Sequence, residues 1–360
     1  MSVTPLLIKE LEKSSWLSME GYMELALYHP EAGYYMNENK KIGKNGDFYT
    51  SSLVSDVFGK VWANLFVRVI NENQLDPVVV EFGGGSGHFA KQVLSTWKKM
   101  NVSNISYIMV ERSPFHRKLL KEQLTDLPVM ILGSLQELKQ AYPVFKGVIF
   151  ANEVLDAFPL RMFKWMEGSW FEKGVALEKD AKDLAFRYKK IEDPALHQSL
   201  DKVFKKRNKE FELEVSFQML QWLKEIYCWT NKDTFYFFVD YGYLGDEWNN
   251  AHLKEGSIRG YYRHQIENHP LAHPGEMDIT YHVDWDQVMS GAEVYGVETI
   301  GFARQGEFLL KEGLLSELKN SQQTDPFSIE HRRNRAVRTF LLDSMLANGF
   351  QVIQQKKRAE

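Results

Sequence analysis

One stretch, residues 78–90, constrains the fold of this chain more than any other. A run of three valines, residues 78–80, leads to Glu81 and Phe82, and three consecutive glycines follow. Apolar residues at helical spacing then begin at about His88. We interpret the stretch as a strand, a glycine turn and a helix. Because glycines let a ligand lie against backbone N–H groups at a helix N-terminus, this turn predicts a binding site, and a nucleotide-derived cofactor is the first hypothesis.

The spacing of these glycines is compatible with two cofactors. Residues 85–90 satisfy the dinucleotide fingerprint Gly-x-Gly-x-x-Ala, but this match begins late, after the strand has ended. Counted from the strand end, the spacing is similar to the first motif of class I S-adenosylmethionine (SAM) methyltransferases: Glu81-x-Gly83-x-Gly85-x-Gly87. SAM carries an ammonium and a sulfonium but no phosphate. A carboxylate at the strand end therefore suits SAM better than it suits a dinucleotide, whose pyrophosphate is negatively charged. The residues favour SAM, with a dinucleotide site and a purely structural turn as alternatives.

The composition predicts a folded globular protein. The chain has 360 residues, of which 44% are apolar and 13% aromatic, which is enough for one large domain with additions or for two domains. Its formal net charge of −4 gives no global attraction to nucleic acid or anionic lipid, so a general nucleic-acid-binding role is disfavoured. Its only cysteine, Cys228, cannot form an intrachain disulfide.

Targeting and membrane signals do not stand out in the sequence. Residues 1–16 lack the basic start and long apolar region of a signal peptide, and they contain Glu10 and Glu12, which a transit peptide would avoid. The longest apolar run, around residues 235–239, is too short to span a bilayer. We therefore expect a cytoplasmic protein without a membrane partner.

Strands and helices alternate after the glycine turn. Apolar runs at 107–111, 129–132, 147–153 and 234–239 are typical of strands, and helical spacing separates the first three. This alternation predicts an α/β fold with a mostly parallel sheet, in which ligands bind beyond the carboxyl ends of the strands. Glu111 stands at one such end, where an acid accepts the ribose hydroxyls of SAM and NAD alike. Glu111 therefore supports a nucleoside ligand but does not distinguish SAM from NAD. Alternatively, it is a solvated acid at the end of a strand.

A polar cluster follows the strand at 147–153. Asn152, Glu153 and Asp156 lie close together in sequence, and Asp240 follows the next strand at the same predicted edge of the sheet. Burying such groups costs free energy unless they are paired, so an idle cluster at a ligand-binding edge would be hard to explain. We predict that Asn152 contacts the cofactor and that the three carboxylates are catalytic candidates. Alternatively, Asn152 and Asp156 cap turns and Glu153 faces water.

A long loop precedes the glycine turn. Residues 28–52 contain glycines, three acids and several hydroxyl side chains, and long loops of this kind tend to be functional or disordered. Their aromatic content argues against disorder. We predict that Asp47, Thr50 and Ser51 reach over the ligand beside the glycine turn. Alternatively, a serine of this segment only caps the next helix.

The remainder of the chain departs from simple alternation. Paired strands are predicted around residues 167–168 and a helix at 211–227, and residues 257–284 form a loop-rich insertion with several histidines. No histidine pair has the spacing and supporting acid of a metal site, so we predict no metal. A closing helix is predicted at 338–347. The predicted domains are N-terminal helices and loop (1–70), a cofactor-binding core (71–158 and 230–360, with an insertion at about 244–292) and an inserted α+β substrate or cap region (159–229).

Several motifs occur in an order that is specific as a set. They are Gly33-Tyr34-Tyr35, Gly46-Asp47-Phe48-x-Thr50, Glu81-x-Gly83-x-Gly85-x-Gly87, Ala151-Asn152-Glu153-x-x-Asp156-Ala157, Asp240-Tyr241-Gly242, Gly275-x-x-Asp278-x-Thr280 and Gln305-Gly306-x-Phe308-Leu309. Together they resemble the MidA family of class I SAM-dependent methyltransferases over most of the chain. The chain departs from that pattern at Gly84 and Ser86, where the family usually has Pro and Arg, and it matches only loosely after about residue 315.

The resemblance implies a class I, Rossmann-like methyltransferase fold, SAM as cofactor and a protein substrate, with a homodimer as one candidate assembly. Mitochondrial members of the family methylate an arginine of a respiratory complex I subunit. A carboxylate would orient such a guanidinium, and Glu153 is the first candidate, ahead of Asp156 and Asp240. Cofactor contacts are predicted along the sheet edge, with the last two residues beside the adenine: Glu81, Gly83, Gly85, Gly87, Glu111, Ser134 and Leu135.

Three other functions stay open on the sequence alone. The same site would serve a methyltransferase of a small molecule or of another protein side chain. A non-catalytic assembly protein would keep SAM as a structural ligand, although the carboxylate at Glu153 argues against this. A dehydrogenase would bind NAD instead of SAM.

Overall fold

The structure is a computed structural model that describes residues 2–37, 56–178, 183–203, 208, 210–263, 265–319, 325, 328–342 and 344–358. The chain divides into two compact units. The first unit comprises residues 1–39, 156–223 and 242–288, and the second unit comprises residues 40–155, 224–241 and 289–360. The domain boundaries predicted from the sequence stay a prediction.

Eleven α-helices are found in the described part of the chain. They are α1 (Thr4–Ser14), α2 (Met19–Tyr28), α3 (Val57–Asn73), α4 (His88–Lys99), α5 (Pro114–Gln123), α6 (Leu135–Ala141), α7 (Pro194–Val203), α8 (Phe217–Trp229), α9 (Trp285–Val294), α10 (Gln305–Lys311) and α11 (Ile329–Leu341). No helix among the described residues is long and apolar enough to cross a membrane.

Sixteen strands accompany them in the described residues. They are β1 (Leu17–Ser18), β2 (Val78–Phe82), β3 (Ser106–Val110), β4 (Val129–Leu132), β5 (Val148–Asn152), β6 (Arg161–Met166), β7 (Ser169–Leu177), β8 (Leu184–Lys190), β9 (Leu213–Val215), β10 (Phe235–Tyr243), β11 (Arg259–Tyr262), β12 (Gln265–Glu267), β13 (Asp278–Thr280), β14 (Val283–Asp284), β15 (Val297–Arg304) and β16 (Phe350–Lys357).

The large sheet carries the strands that flank the glycine turn. Its strand order is β15-β16-β10-β5-β2-β3-β4. The five strands from β10 to β4 are parallel, whereas β16 is antiparallel to both of its neighbours. The predicted mostly parallel α/β sheet is therefore confirmed. Because β2 is the middle one of the five parallel strands and lies between β3 and β5, the residues that follow these three strands lie side by side.

Aromatic packing holds the second unit together. The rings of Phe89 on α4 and Phe150 on β5 stack with their centroids 4.6 Å apart, and Trp62 of α3 lies 4.7 Å from Phe150. All three side chains are buried. Removing one such ring from a core costs about 3–5 kcal/mol. This packing fixes α4, and with it the glycine turn that begins this helix, against the sheet.

The first unit contains an antiparallel sheet of five strands, with β1-β7-β6-β9 in order and β8 beside β7, and a small sheet of order β12-β11-β13. The predicted hairpin around Glu167 and Gly168 joins β6 to β7, and both residues have positive φ, at 52° and 74°. Arg161 and Glu172 clamp this hairpin with two charge-assisted hydrogen bonds of 2.7 and 2.6 Å.

The helix predicted at 211–227 is wrong in its first part. Residues 213–215 form β9 and pair with β6, and the helix α8 begins only at Phe217. The reason is a contact with a segment distant in sequence: Glu214 is buried and accepts hydrogen bonds from the N–H groups of Ser257 and Ile258, both at 2.8 Å. The Ser216 hydroxyl then accepts a bond from Met219 N at 3.2 Å, as an N-cap does.

Two further boundaries differ from prediction. The last helix runs from Ile329 to Leu341 rather than over 338–347, because the hydroxyl of Ser328 caps it by accepting a bond from His331 N at 3.3 Å. The strand predicted to end at Val239 continues to Tyr243, because Asp240 and Tyr241 pair with β16, and Gly242 and Tyr243 pair with β14. The loop-rich insertion also contains the short strands β11, β12 and β13.

Candidate functional site

The glycine turn adopts a backbone that other residues rarely accept. Gly83, Gly85 and Gly87 all have positive φ, at 70°, 49° and 76°. A Cβ on Gly83 would lie 2.5 Å from Val154 Cγ2, and one on Gly87 would lie 2.7 Å from Leu120 Cδ2. Both glycines are therefore required by conformation and by packing, before any ligand is considered. The turn leads directly into α4, whose first N–H groups are available to a ligand at this end.

Glu111 is tied to the glycine turn, as its place after β3 suggested. One carboxylate oxygen accepts a hydrogen bond from Gly85 N at 3.1 Å, and the other accepts one from Ser113 N at 2.8 Å. Burial raises the pKa of Glu111, while these two N–H groups and the Arg117 charge act in the opposite direction. The side chain is only 7% exposed. The carboxylate thus ties the glycine turn to the segment that follows β3.

Glu81 lies in a different environment from the one its motif suggested. Its side chain is 4% exposed and accepts a hydrogen bond from the Tyr107 hydroxyl at 2.8 Å. Burial raises the pKa of Glu81 to about 8, and the nearby Glu111 carboxylate adds to this effect. The side chain is therefore mostly neutral at pH 7. From the sequence, Glu81 was expected to be a carboxylate anion beside the positive charges of SAM.

Strained backbone follows β5. Glu153 has φ of 55°, a left-handed conformation that is uncommon for a residue other than glycine. Its N–H donates to Val239 O at 2.9 Å, and its carboxylate accepts a bond from the Asn152 amide nitrogen, also at 2.9 Å. The Asn152 Oδ1 atom is buried and has no hydrogen-bond partner among the residues that the structure describes. An unpartnered acceptor of this kind is suited to a donor on a ligand.

Asp240 is buried in the sheet rather than open at its edge. One of its carboxylate oxygens accepts hydrogen bonds from Val154 N at 3.2 Å and Leu155 N at 2.9 Å. The other oxygen accepts one from Tyr241 N at 3.0 Å. These three hydrogen bonds join Asp240 to backbone N–H groups of β10 and of the segment that follows β5.

Asp156 belongs to the first unit. It is buried there and accepts a hydrogen bond from the Thr280 hydroxyl at 2.6 Å. Tyr35 of the same unit donates a hydrogen bond to Asp278. Asp278 and Thr280 of β13, which occur in one motif, thus contact Tyr35 and Asp156 of the first unit.

Ser134 and Leu135 lie at the start of α6. The Ser134 hydroxyl accepts a hydrogen bond from Glu137 N at 3.1 Å, while the Glu137 side chain accepts one from Gly133 N at 2.8 Å. This reciprocal arrangement caps the helix. Both residues follow β4, so they lie at the predicted edge of the sheet.

Three predicted cofactor contacts, Asp47, Thr50 and Ser51, lie outside the described residues. Among the described residues, no group of three or more histidine, cysteine, aspartate or glutamate side chains could hold a metal ion. Sequence reasoning missed Tyr107 and Val154. Tyr107 was detectable as a hydroxyl side chain in the apolar run predicted at 107–111, whereas nothing in the sequence indicated that Val154 packs against Gly83.

Comparison with known proteins identifies the family. A family model described as "Putative S-adenosyl-L-methionine-dependent methyltransferase" matches residues 61–303, about two thirds of the chain. The crystal structure of a COG1565 superfamily member from Burkholderia thailandensis, bound to S-adenosyl-homocysteine, aligns with a TM-score of 0.86 and 25% identity. That alignment covers 98% of this chain and 91% of the other.

Two relatives carry functional names. "Protein arginine methyltransferase NDUFAF7 homolog, mitochondrial" of Drosophila melanogaster is 28% identical, over 80% of this chain and 69% of the relative. The protein of the same name from Caenorhabditis elegans is 27% identical, over 88% of this chain and 78% of the relative.

The predicted cytoplasmic location is wrong by this comparison, because the relatives are named as mitochondrial proteins. That prediction depended on the absence of a leader pattern in residues 1–16. Such an absence does not identify a compartment.

The comparisons select SAM over a dinucleotide as the cofactor. Both SAM as cofactor and methyl transfer as reaction class are thereby confirmed. The chain belongs to this family of S-adenosyl-L-methionine-dependent methyltransferases.

Proposed function

We propose that this methyltransferase transfers the methyl group of SAM to a guanidinium nitrogen of an arginine in a protein substrate. The names of the fly and worm relatives support an arginine acceptor. The structural observation that carries the proposal is the carboxylate of Glu153, held on a strained backbone directly after β5. A carboxylate in a fixed position suits a planar, permanently charged guanidinium.

The second unit has groups that fit SAM. The turn of Gly83, Gly85 and Gly87 exposes bare backbone to a ligand, and the buried Asn152 Oδ1 atom is without a partner among the described residues. Glu111 would accept the ribose hydroxyls, with Ser134 and Leu135 beside the adenine. Asp47, Thr50 and Ser51 stay proposed contacts of the same ligand, and so does Glu81. When bound, SAM supplies a methyl group on a sulfonium and leaves as S-adenosyl-homocysteine.

The chain's own residues contribute mainly alignment. Methyl transfer is an in-line displacement, so the protein must hold the acceptor nitrogen in line with the departing sulfur and keep water out. Glu153 orients the guanidinium by accepting its N–H groups, and it is placed to take the proton that the nitrogen loses on methylation. Asp156 is the second candidate for an acceptor contact. The identity of the protein substrate and a homodimeric assembly are further expectations.

Glu153→Gln tests the proposal, because glutamine keeps the size of the side chain but not its charge. We expect the Kd for SAM to change by less than about threefold, while methyl transfer falls by about 100-fold or more. Calorimetry gives the Kd. Transfer of a labelled methyl group to arginine-containing proteins, with mass spectrometry of the product, gives the rate and the modified atom. Glu122→Gln, at an exposed position on α5, is the matched control.

Other results would decide against parts of this proposal. Collapse of SAM affinity in Glu153→Gln would place Glu153 in the cofactor site. Label found only on small molecules, or on a side chain other than arginine, would replace the proposed acceptor. Absence of turnover with every acceptor would favour an assembly protein that retains SAM.

A further inference from the structure

Three consecutive backbone N–H groups after β5 are bonded to two consecutive residues of β10. Glu153 N donates to Val239 O at 2.9 Å. Val154 N and Leu155 N both donate to one oxygen of Asp240, at 3.2 and 2.9 Å. Successive N–H groups that converge on one carboxylate form a concave anion site, which here is filled by the protein's own side chain.

This arrangement determines where the Glu153 side chain lies. A residue with φ of 55° persists only when its surroundings hold it there. The bonds to Val239 and Asp240 fix the peptide groups on both sides of the Glu153 Cα atom. The Asn152 amide then holds the Glu153 carboxylate at 2.9 Å. Backbone and side chain of Glu153 are thus fixed by separate contacts.

Asp240 is well suited to this role because it is inaccessible. Its side chain is 0% exposed, so water does not compete for its hydrogen bonds. Its second oxygen accepts a bond from Tyr241 N at 3.0 Å, which prevents the carboxylate from rotating away from Val154 and Leu155.

We infer that Asp240 is a positioning residue that acts through Glu153: its carboxylate holds residues 153–155 in the conformation that presents Glu153 to the acceptor. It does not itself contact the acceptor. The inference rests on the proposed function, in which Glu153 orients the substrate guanidinium. Asp240 therefore affects the rate of methyl transfer and not the affinity for SAM.

Asp240→Asn is the informative substitution. An asparagine has the same shape, but its amino group cannot accept a hydrogen bond, so either Tyr241 N or the pair Val154 N and Leu155 N loses its acceptor. We expect kcat at saturating SAM to fall by about 10- to 100-fold, with the Kd for SAM within about threefold of the parent. Asp233→Asn, at an ion-paired position beside the start of β10, is the control and keeps the parent kcat.

A double-mutant cycle separates positioning from general damage. In a Glu153→Gln background, Asp240→Asn is expected to lower kcat by less than about twofold, because the side chain that it positions is already disabled. An equal fractional loss in both backgrounds would overturn the inference, as would an unchanged kcat in Asp240→Asn alone. If Glu153→Gln alone keeps full transfer activity, the proposed acceptor contact fails, which is a separate result.

Hydrogen exchange tests the geometry independently of activity. In the parent protein the amides of Val154 and Leu155 are expected to exchange as slowly as those inside β10, because all are bonded to buried acceptors. In Asp240→Asn at least one of these two amides should exchange about 10-fold faster, while Val80 in β2 is unchanged. Fast exchange of both amides in the parent would overturn the inference even if the variant does not fold.

Discussion

The Tyr107 hydroxyl donates a hydrogen bond of 2.8 Å to the Glu81 carboxyl, and both side chains are buried in the second unit. Glu81 lies on β2 and Tyr107 on the adjacent β3, so the pair bridges the two strands that lead to the glycine turn and to Glu111. Burial raises the pKa of Glu81 from 4.5 to about 8. Folding therefore keeps a proton on this side chain at neutral pH.

The Glu81 pKa predicts a pH dependence of stability. Between pH 4.5 and about 8 the folded protein retains a proton that the unfolded chain releases, so the contribution of this group is complete below pH 4.5 and is lost as the pH rises to about 8. Glu81→Gln keeps an acceptor for Tyr107 but cannot ionise. We expect its free energy of unfolding to exceed that of the parent by about 1–3 kcal/mol at about pH 8.5.

Urea unfolding at about pH 6 and about pH 8.5 measures this difference. Between these two conditions the parent should lose more stability than Glu81→Gln. Glu122→Gln removes an exposed carboxylate from α5 and should leave the pH dependence of the parent unchanged. The same pH dependence in Glu81→Gln and the parent would show that Glu81 titrates normally in the folded protein.

A second prediction concerns Gly83 and Val154. A Cβ on Gly83 would meet Val154 Cγ2 at 2.5 Å, and the φ of 70° adds strain for any other residue. We expect Gly83→Ala to destabilise the protein by about 1–3 kcal/mol. In Gly83→Ala/Val154→Ala the crowding is relieved, so the double variant should be about 1 kcal/mol more stable than the sum of the single effects predicts.

Urea unfolding of the parent, the two single variants and the double variant gives this coupling. Strictly additive effects would mean that the two side chains do not crowd each other. SAM titrations of the same four proteins add a second result. If Gly83→Ala weakens SAM binding and the double variant restores it, the loss comes from crowding against Val154. If SAM binding stays weak in the double variant, the ligand itself lies against Gly83.

The elements around the site were predictable because their signals are local. The β-branched run and the glycines after it specify the strand, the turn and the helix without reference to the rest of the chain. The end of the next strand likewise put Glu111 at the carboxyl edge of the sheet, since alternating strands and helices predict parallel pairing. Motif spacing was informative where the backbone itself forms the site.

The parts that were missed depend on contacts between segments distant in sequence. Residues 213–215 have the spacing of a helix, but pairing with β6 and the bonds of Glu214 to residues 257–258 make them a strand. Glu81 was taken for a ligand-facing anion because its motif does not show that Tyr107 faces it. Asp240 was grouped with the catalytic carboxylates because its burial depends on β16, more than 100 residues later.

The third prediction tests Glu111, whose two carboxylate oxygens accept bonds from Gly85 N at 3.1 Å and Ser113 N at 2.8 Å. In Glu111→Gln the amino group would face one of these donors, and leaving a buried N–H without an acceptor costs about 1–3 kcal/mol. We expect a loss of that size in the free energy of unfolding and a SAM affinity at least about 10-fold weaker, because the glycine turn loses its support and the ribose loses a charged acceptor. Calorimetric titration with SAM and with S-adenosyl-homocysteine, which share the ribose, should show the same loss for both. A Kd within about twofold of the parent for either ligand would place the ribose away from Glu111.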